Sequence, residues 1–445
     1  MPPSHSVAFC NNRGGVGKTF MAFQTACEAA RSRPDKKVLV VDFSLYSDIT
    51  ALMLGGSARE GFGAPMKGLQ VTVEHTTADT RAEGLIRDLE HAASLEHDAP
   101  HGAASRGSVF GAFFSRPPKA AKTEAAGAVV DLEKYALRPA EHNPAIPPNL
   151  FLVPSAGATS WADTQEEEPM DYASSSAAAA ASPGPAASAG SAARDESNLP
   201  LWVRKGDGWW PAARKLRAAV DRLPSDFDAV FFDTDHLAAC VLTKLALATC
   251  ESMVVPLSFD DGDFNRLFQD VTGNALFTDV ALPMHLAGRL RAKVRKMVFT
   301  KVASTKNEPC VTSGGIDSPF KPSNTVMAQM DGMARQVWAA CDHDERYRGL
   351  FRGLQQSPDP SAGGNVMQAF RATYFTAMKA APDLAANVSK MCGLPIATMT
   401  TEKYVAPSGL EGQSSKGVLD GLKAEIQALT VSILDERYNK PIHQS

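Results

Sequence analysis

The stretch Ser6-Val-Ala-Phe-Cys-Asn-Asn-Arg-Gly-Gly-Val-Gly-Lys-Thr19 decides the fold of this chain. A short apolar run, a glycine-rich turn and a helical pattern follow one another in the order strand, loop, helix. Glycines let successive backbone N–H groups converge on a phosphate, and the N-terminus of the helix adds positive potential. Lys18 can reach the outer phosphate oxygens of a nucleotide, and the Thr19 hydroxyl can ligate Mg²⁺. The stretch therefore predicts a phosphate-binding loop.

The strict pattern G-x-x-x-x-G-K-[ST] is not met, because Asn12 stands where its first glycine belongs. A glycine-rich turn without catalytic meaning is the alternative. The strand pattern before the loop and the helical pattern after it favour the phosphate-binding interpretation.

Short, continuously apolar runs recur along the chain and are typical of strands buried on both faces of a parallel sheet. They cover residues 6–10, 38–41, 150–153, 229–232, 253–257, 297–299 and 395–399. Helical patterns lie between them, at about 20–32, 81–94, 211–223, 237–249 and 367–380. The predicted fold class is α/β, a mostly parallel sheet flanked by helices.

Two aspartates sit where a ligand of such a sheet binds. Asp42 ends the run Lys37-Val-Leu-Val-Val-Asp42, and Asp233 ends Phe227-Asp-Ala-Val-Phe-Phe-Asp233. Ligands of open parallel sheets bind at the carboxyl ends of the strands, so both carboxylates are expected to face the phosphates. Two carboxylates and a threonine suit Mg²⁺, which prefers oxygen ligands. A strand-end carboxylate that only caps the following turn is the alternative for Asp233.

Residues 11–19 resemble the deviant Walker A loop of the ParA/MinD family, which reads K-G-G-x-G-K-[ST]. The strands that end at Asp42 and Asp233, and the stretch Pro148-Asn-Leu-Phe-Leu-Val-Pro-Ser155, resemble further family motifs in the family's order. The resemblance implies a P-loop NTPase fold of the SIMIBI/ParA-like kind, with ATP and Mg²⁺ as cofactors. It also implies an ATP hydrolase that forms a homodimer in the ATP state, positions or segregates DNA or another cargo, and is stimulated by a protein partner.

The resemblance assigns roles residue by residue. It implies that nucleotide is contacted by Gly14, Gly15, Val16, Gly17, Lys18, Thr19 and Phe20, and Mg²⁺ by Thr19, Asp42 and Asp233. Catalytic roles fall to Arg13, Lys18 and Asp42: Asp42 helps to position the attacking water, and Arg13 replaces the signature lysine that reaches a partner's phosphate. Arg keeps the charge but changes the geometry, and a solvated surface arginine is the alternative. Thr300 and the loop 401–407 resemble adenine-contacting positions.

Other departures from the family pattern predict slow hydrolysis of ATP. Ser44 stands where the family commonly has a second aspartate, and Phe20 replaces the usual threonine or serine after the loop. The alternative function is a degenerate ATP-binding module, weakly hydrolysing, that presents its insertions to a partner. A third alternative, an enzyme that inserts metals or builds cofactors, is disfavoured in its iron–sulfur form because the chain has no Cys-x-x-Cys pair.

The amino-acid composition limits the classes of protein to which this chain can belong. Of the 445 residues 44% are hydrophobic, which excludes a fully disordered chain. The 45 Lys+Arg against 49 Asp+Glu give a net charge of -4, which excludes a broadly polycationic nucleic-acid binder. Seven scattered cysteines predict a reducing, cytoplasmic location. We predict one ParA-like domain over 1–445, with an insertion at 55–128, a low-complexity disordered loop at 164–198 and a second irregular insertion at 304–364.

Further candidate sites lie outside the loop. The densest basic run is Arg289, Arg291, Lys293, Arg295 and Lys296, for which nonspecific DNA contact and an ordinary solvated face are the alternatives. An apolar stripe at helical spacing near the C-terminus (Leu419, Leu422, Ile426, Leu429, Ile433) predicts a helix packed on the sheet, and its acidic polar face makes membrane binding the disfavoured alternative. His91, His97 and His101, the tryptophans 202, 209 and 210, and His236 are more typical of surface or packing residues.

Overall fold

A computed structural model provides the structure, and it describes residues 3, 5–44, 46–59, 65–97, 129–156, 209–235, 240–258, 261–269, 274–306, 308–311, 317–354, 364–405 and 411–434. Its centre is a seven-stranded sheet in which every pair of neighbouring strands is parallel. Parallel strands need crossover connections, and helices cover both faces of this sheet. The prediction of an α/β fold with a parallel sheet is confirmed.

Thirteen strands occur in the described residues. They are β1 His5–Phe9, β2 Lys37–Phe43, β3 Leu150–Val153, β4 Phe227–Thr234, β5 Ser252–Leu257, β6 Lys293–Val302, β7 Ser304–Lys306, β8 Cys310–Val311, β9 Asp317–Ser318, β10 Lys321–Pro322, β11 Phe375–Lys379, β12 Tyr404–Val405 and β13 Glu411–Gly412. The central sheet has the order β11-β6-β5-β1-β4-β2-β3, and the short strands form three separate two-stranded pairs.

The α-helices in the described residues flank this sheet. They are α1 Lys18–Ser32, α2 Asp48–Met53, α3 Lys67–His75, α4 Ala82–His97, α5 Trp209–Asp221, α6 Val241–Thr249, α7 Asp261–Phe268, α8 Leu282–Leu286, α9 Asn324–His343, α10 Gly364–Tyr374, α11 Asp383–Cys392 and α12 Lys416–Leu434. None of these helices is long and apolar enough to cross a membrane.

Side chains alternate between two hydrophobic cores, one on each face of the sheet. On β2, Leu39 and Val41 join one core while Val38 and Val40 join the other. This alternation follows from the two-residue period of a strand, and apolar residues at every position bury both faces. The sheet is thereby fixed in register, which determines where its functional side chains lie.

The edge strand of the sheet differs from the prediction. The helix predicted over 367–380 ends at Tyr374, and the chain continues directly as β11, which pairs with β6. The predicted strand at 395–399 is wrong, because this segment contains the 3₁₀ turn Ile396–Thr398 and no ladder. Ile396 and Met399 are buried, so the apolar run is used for packing against the core instead of for pairing.

Two further regions bear on the predicted organisation. The stretch 304–364, expected to be irregular, contains the 20-residue helix α9, so that expectation is wrong for this part. In the stretch 55–128 the described residues form α3 and α4, the latter confirming the helix predicted at 81–94. The predicted low-complexity loop 164–198 lies outside the described residues.

The C-terminal stripe packs as predicted. Helix α12 buries Leu419, Leu422, Ile426, Leu429 and Ile433 in the core on the α1 face of the sheet. With this face covered by protein, the apolar stripe is accounted for by packing.

Candidate functional site

The predicted phosphate loop lies between β1 and α1, at the carboxyl edge of the central strand of the sheet. Gly15 and Gly17 adopt φ values of 77° and 90°, a left-handed conformation that side chains other than glycine disfavour. No heavy atom lies within 4 Å of a Cβ built on Gly14 or Gly15. This part of the loop therefore borders open space in which a ligand can approach the backbone.

The helix that follows the loop begins without a side-chain cap. Gly17 occupies the cap position of α1, no acidic residue lies in the first turn, and Met21 N donates to the Gly17 carbonyl at 2.9 Å. The N-terminal N–H groups and the positive end of the helix dipole are thus left for an anion.

Lys18 is buried and turned back onto the loop. Its Nζ donates to the Arg13 carbonyl at 2.8 Å, and the residue is 7% exposed. Burial lowers the pKa of Lys18, while the nearby carboxylates of Asp233 and Asp235 act in the opposite direction and favour its charge. A phosphate in the loop would offer this ammonium a charged partner in place of a carbonyl.

Asp42 and Asp233 lie side by side, as predicted from their positions at strand ends. They are register partners on β2 and β4, and Asp233 is also the register partner of Phe9, the last residue of β1. Both carboxylates are fully buried. The sheet register alone therefore brings two acidic groups to the base of the phosphate loop.

Asp42 is held by four hydrogen bonds. Its Oδ1 accepts from the backbone N and the hydroxyl of Ser44 at 2.9 and 2.6 Å, and its Oδ2 accepts from the backbone N and the hydroxyl of Thr50 at 3.1 and 2.6 Å. Burial raises the pKa of Asp42 to about 6, and these hydrogen bonds oppose that rise. Both oxygens use their lone pairs inside the protein, so a direct bond from Asp42 to Mg²⁺ requires release of one of these donors.

Asp233, unlike Asp42, is not held by a set of hydrogen bonds. Neither of its buried carboxylate oxygens has a hydrogen bond of normal geometry within the described residues, although the adjacent Thr19 hydroxyl favours its charged form. Burial raises the pKa of Asp233 well above its usual range and the Asp42 carboxylate adds to this, whereas the adjacent Thr19 hydroxyl and Lys18 lower it. A buried carboxylate without donors needs either a proton or a cation. The donor set of Asp233 and Thr19 therefore fits Mg²⁺.

Two acidic residues that the sequence reasoning left aside also belong to this region. Asp48, the first residue of α2, and Asp235, just beyond β4, both interact electrostatically with Lys18. Burial raises the pKa of Asp48, followed by the charge of Asp235. Their place after the strand ends that carry Asp42 and Asp233 is the signal from which they could have been found. The site thus combines one buried ammonium with four carboxylates.

The remaining loop residues are tied to neighbouring strands. Asn11 Nδ2 donates to the Pro256 carbonyl at 2.5 Å, and Asn12 Nδ2 donates to the Asn274 carbonyl at 2.7 Å. Arg13, half-buried, donates its backbone N–H to Asn11 Oδ1 at 3.1 Å. Phe20 is half-buried, with the Lys390 ammonium 5.7 Å from its ring centre. The roles of Arg13 and Phe20 toward nucleotide stay predictions.

Thr300 contacts the phosphate loop, and its predicted resemblance to an adenine-contacting position stays a prediction. Its hydroxyl donates to the Val16 carbonyl at 2.8 Å and lies 3.1 Å from the Leu257 carbonyl, so it supports the phosphate loop from below. The next residue, Lys301, places its Nζ 2.8 Å from the Gly15 carbonyl. Of the predicted adenine loop, residues 406 and 407 lie outside the described part of the chain.

The five residues of the predicted basic patch do not form one surface patch, so the prediction of DNA contact is wrong for the buried Arg295 and Lys296 and stays a prediction for the other three. Arg295 and Lys296 are each 4% exposed and donate to the backbone carbonyls of Ser432 and Thr373. Arg291 pairs with Asp221 and Glu251, Lys293 Nζ donates to the Gly349 carbonyl, and Arg289 lies over the Trp210 ring. The run leads into and forms the start of β6, and its long cationic side chains reach internal partners.

Two other candidate groups give no site in the described residues. Trp209 is buried in the core and packs edge-on against Trp210, which supports the packing alternative. No group of three or more His, Cys, Asp or Glu among the described residues has the geometry of a metal site. His101, Trp202 and His236 lie outside the described residues.

Comparisons with known proteins return similar solved structures. ParA of pNOB8 bound to nonspecific DNA is 14% identical, with 98% of each chain covered and a TM-score of 0.42. A complex of Cyanothece McdA with ATP is 13% identical, covering 82% of this chain and 95% of that one at a TM-score of 0.37. A putative plasmid partition protein from Borrelia burgdorferi bound to AMPPNP is 12% identical, covering 68% and 77% at a TM-score of 0.34. No protein-family model and no curated protein matches the chain.

At these identities and TM-scores the assignment rests on the chain itself. The deviant phosphate loop follows the central strand, and the two aspartate-bearing strands lie beside it in the predicted register. The chain has a ParA/MinD-like P-loop ATPase fold.

Proposed function

We propose that this protein binds ATP and Mg²⁺ in the loop between β1 and α1 and is a slow, ParA/MinD-like ATPase. In the ATP state it forms a homodimer that positions or segregates a cargo such as DNA, and a protein partner stimulates hydrolysis. The observation that carries the proposal is the buried Asp233 carboxylate, which has no hydrogen bond of normal geometry within the described residues and lies beside Lys18 and Thr19 at the end of the glycine loop.

Each residue of the loop has a role that follows from its position. The backbone N–H groups of Gly14 to Thr19 bind the phosphates, and Lys18 moves from the Arg13 carbonyl to the phosphate oxygens. Thr19 and Asp233 hold Mg²⁺, which neutralises charge on the phosphates when it is bound. Asp42 holds Ser44 and Thr50 through hydrogen bonds and lies beside the metal-binding carboxylate.

Arg13 is proposed to reach the nucleotide of a partner subunit. A guanidinium keeps its charge and offers a forked donor, which suits a phosphoryl group in transfer. Its carbonyl accepts from Lys18 and its amide donates to Asn11, so the backbone at this position is held. Loss of turnover in Arg13→Ala, with turnover kept or raised in Arg13→Lys, would support this role.

The test measures ATP turnover together with molecular mass by sedimentation in ATP, ADP and no nucleotide. The wild type is expected to turn over slowly and to double its mass only with ATP, and Lys18→Ala to do neither. Lys416→Ala, which changes an exposed lysine at the start of α12, is the matched control and is expected to behave like the wild type. Absence of nucleotide binding by the wild type would refute the proposal.

A binding module with little hydrolysis is the second candidate, favoured by one specific observation. The resemblance assigns to Asp42 the positioning of the attacking water, but both of its carboxylate oxygens already accept hydrogen bonds from Ser44 and Thr50. The discriminating result is dimerisation in ATP without turnover, in the presence and absence of added DNA.

A further inference from the structure

The phosphate loop is supported from outside by two consecutive residues at the end of β6. The Thr300 hydroxyl donates to the Val16 carbonyl at 2.8 Å, and the Lys301 ammonium donates to the Gly15 carbonyl at 2.8 Å. These are carbonyls of two successive peptide groups in the most glycine-rich part of the loop. Glycines flank Val16 on both sides, so the backbone of this part of the loop is weakly restrained by its own side chains.

Lys301 makes this contact from a strained backbone. Its φ is 58°, and among the described residues only Ser47 shares a positive φ without being glycine. Lysine has no intrinsic preference for this conformation, and such residues persist where the surrounding structure determines them. The side chain is exposed, so burial of lysine does not explain the strain. The turn instead directs an exposed amine back onto the loop.

Holding a carbonyl also orients the amide of the same peptide. In a planar trans peptide the C=O and N–H bonds point in opposite directions. The Gly15 carbonyl and the Val16 N–H belong to one peptide, and the Val16 carbonyl and the Gly17 N–H belong to the next. With both carbonyls directed toward the end of β6, both N–H groups are directed away from it.

We propose that Thr300 and Lys301 are positioning residues that orient the Val16 and Gly17 amides for phosphate. The inference rests on the proposed function, since it names what prepares that same loop for the nucleotide. A glycine-rich loop without these two contacts would sample orientations that do not bind phosphate, and ordering it would reduce the affinity.

The test compares Lys301→Asn and Thr300→Val with matched controls. Asparagine tolerates the left-handed backbone but cannot reach Gly15, and valine keeps the shape of threonine without its hydroxyl. Lys301→Arg keeps a long donor and serves as the conservative rescue, and Lys416→Ala removes an exposed lysine elsewhere. Two readouts are taken: hydrogen–deuterium exchange of residues 10–19 without nucleotide, and the Kd for ATP and for ADP.

Both removal variants are expected to speed exchange in the loop and to weaken ATP and ADP by about fivefold each, the size of one net hydrogen bond. Lys301→Arg and Lys416→Ala are expected to match the wild type. Loop exchange and affinities in Lys301→Asn and Thr300→Val equal to those of Lys416→Ala would overturn the inference. If the wild type binds no nucleotide but Lys301→Asn and Thr300→Val still speed exchange in the loop, the proposed function fails and the orientation of these peptides stands.

Discussion

Replacement of Thr50 by valine tests whether the Asp42 network holds the site. Thr50 is fully buried, its hydroxyl donates to Asp42 Oδ2 at 2.6 Å, and the hydroxyl oxygen accepts from Ser155 N at 3.0 Å. Valine keeps the shape but removes both contacts. Loss of a hydrogen bond to a charged group costs about 2 kcal/mol, and the stranded Ser155 N–H about 2 kcal/mol more, so the free energy of unfolding should fall by about 4 kcal/mol.

The assay is urea denaturation at pH 7.5, with Thr430→Val as the matched control. Thr430 is also buried, but its hydroxyl donates to the Ile426 carbonyl of its own helix, where the backbone bond already satisfies that acceptor, so its loss should cost less than about 1 kcal/mol. At pH 5 the Asp42 carboxyl, with a pKa of about 6, is protonated, and the Thr50→Val cost should drop by about 1 kcal/mol. Equal costs for the two variants at pH 7.5 would refute the reasoning.

Three further predictions concern buried charge and packing. Burial raises the pKa of Glu425 to about 7, so this carboxyl should lower the stability of the wild type as pH rises from about 4.5 to 7, and Glu425→Gln should remove its share of that fall. Relative to the wild type, the variant should gain up to about 3 kcal/mol at pH 8 and little at pH 4, by urea denaturation at both pH values, and an equal gain at both would contradict the buried charge. At a pH above neutral, Asp233→Asn should raise the melting temperature of the nucleotide-free protein, because the pKa of Asp233 is raised. The same variant should lose Mg²⁺-dependent turnover, and a variant no more stable than the wild type would contradict the buried charge. Leu422→Ala in α12 should cost about 3 kcal/mol in urea, and a loss below about 1 kcal/mol would contradict its packing on the sheet.

The sheet was largely predictable from the sequence, and its edge was not. Apolar runs such as 38–41 and 229–232 are bounded by turn residues and contain β-branched or aromatic side chains, which is enough to identify central strands. The segment that became β11 follows a helix without a break, and only pairing with β6 decides that the chain extends after Tyr374. The run 395–399 had strand-like composition, but the packing of Ile396 and Met399 determined a turn.

The site was predictable where it depends on register. Asp42 and Asp233 end their strands, and parallel pairing makes them neighbours. The hydrogen bonds of Asp42, and those from Thr300 and Lys301 to the phosphate loop, depend on which segments fold back over the sheet edge. The local sequence pattern does not carry that information. The prediction of a basic surface patch was wrong at Arg295 and Lys296 for the same reason. The sequence shows that these residues are charged, but the pairing of β6 and the position of α12 determine that they are buried.

The central claim is that the β1–α1 loop and Asp233 together form a Mg²⁺–ATP site. Its most direct measurement is calorimetric titration of ATP into the wild type, Lys18→Ala and Asp233→Asn, each with Mg²⁺ and with EDTA. We expect the wild type to bind ATP more tightly with Mg²⁺ than with EDTA, Asp233→Asn to lose that difference, and Lys18→Ala to lose binding in both. Equal ATP affinity in all three proteins, or no binding by the wild type, would contradict the account.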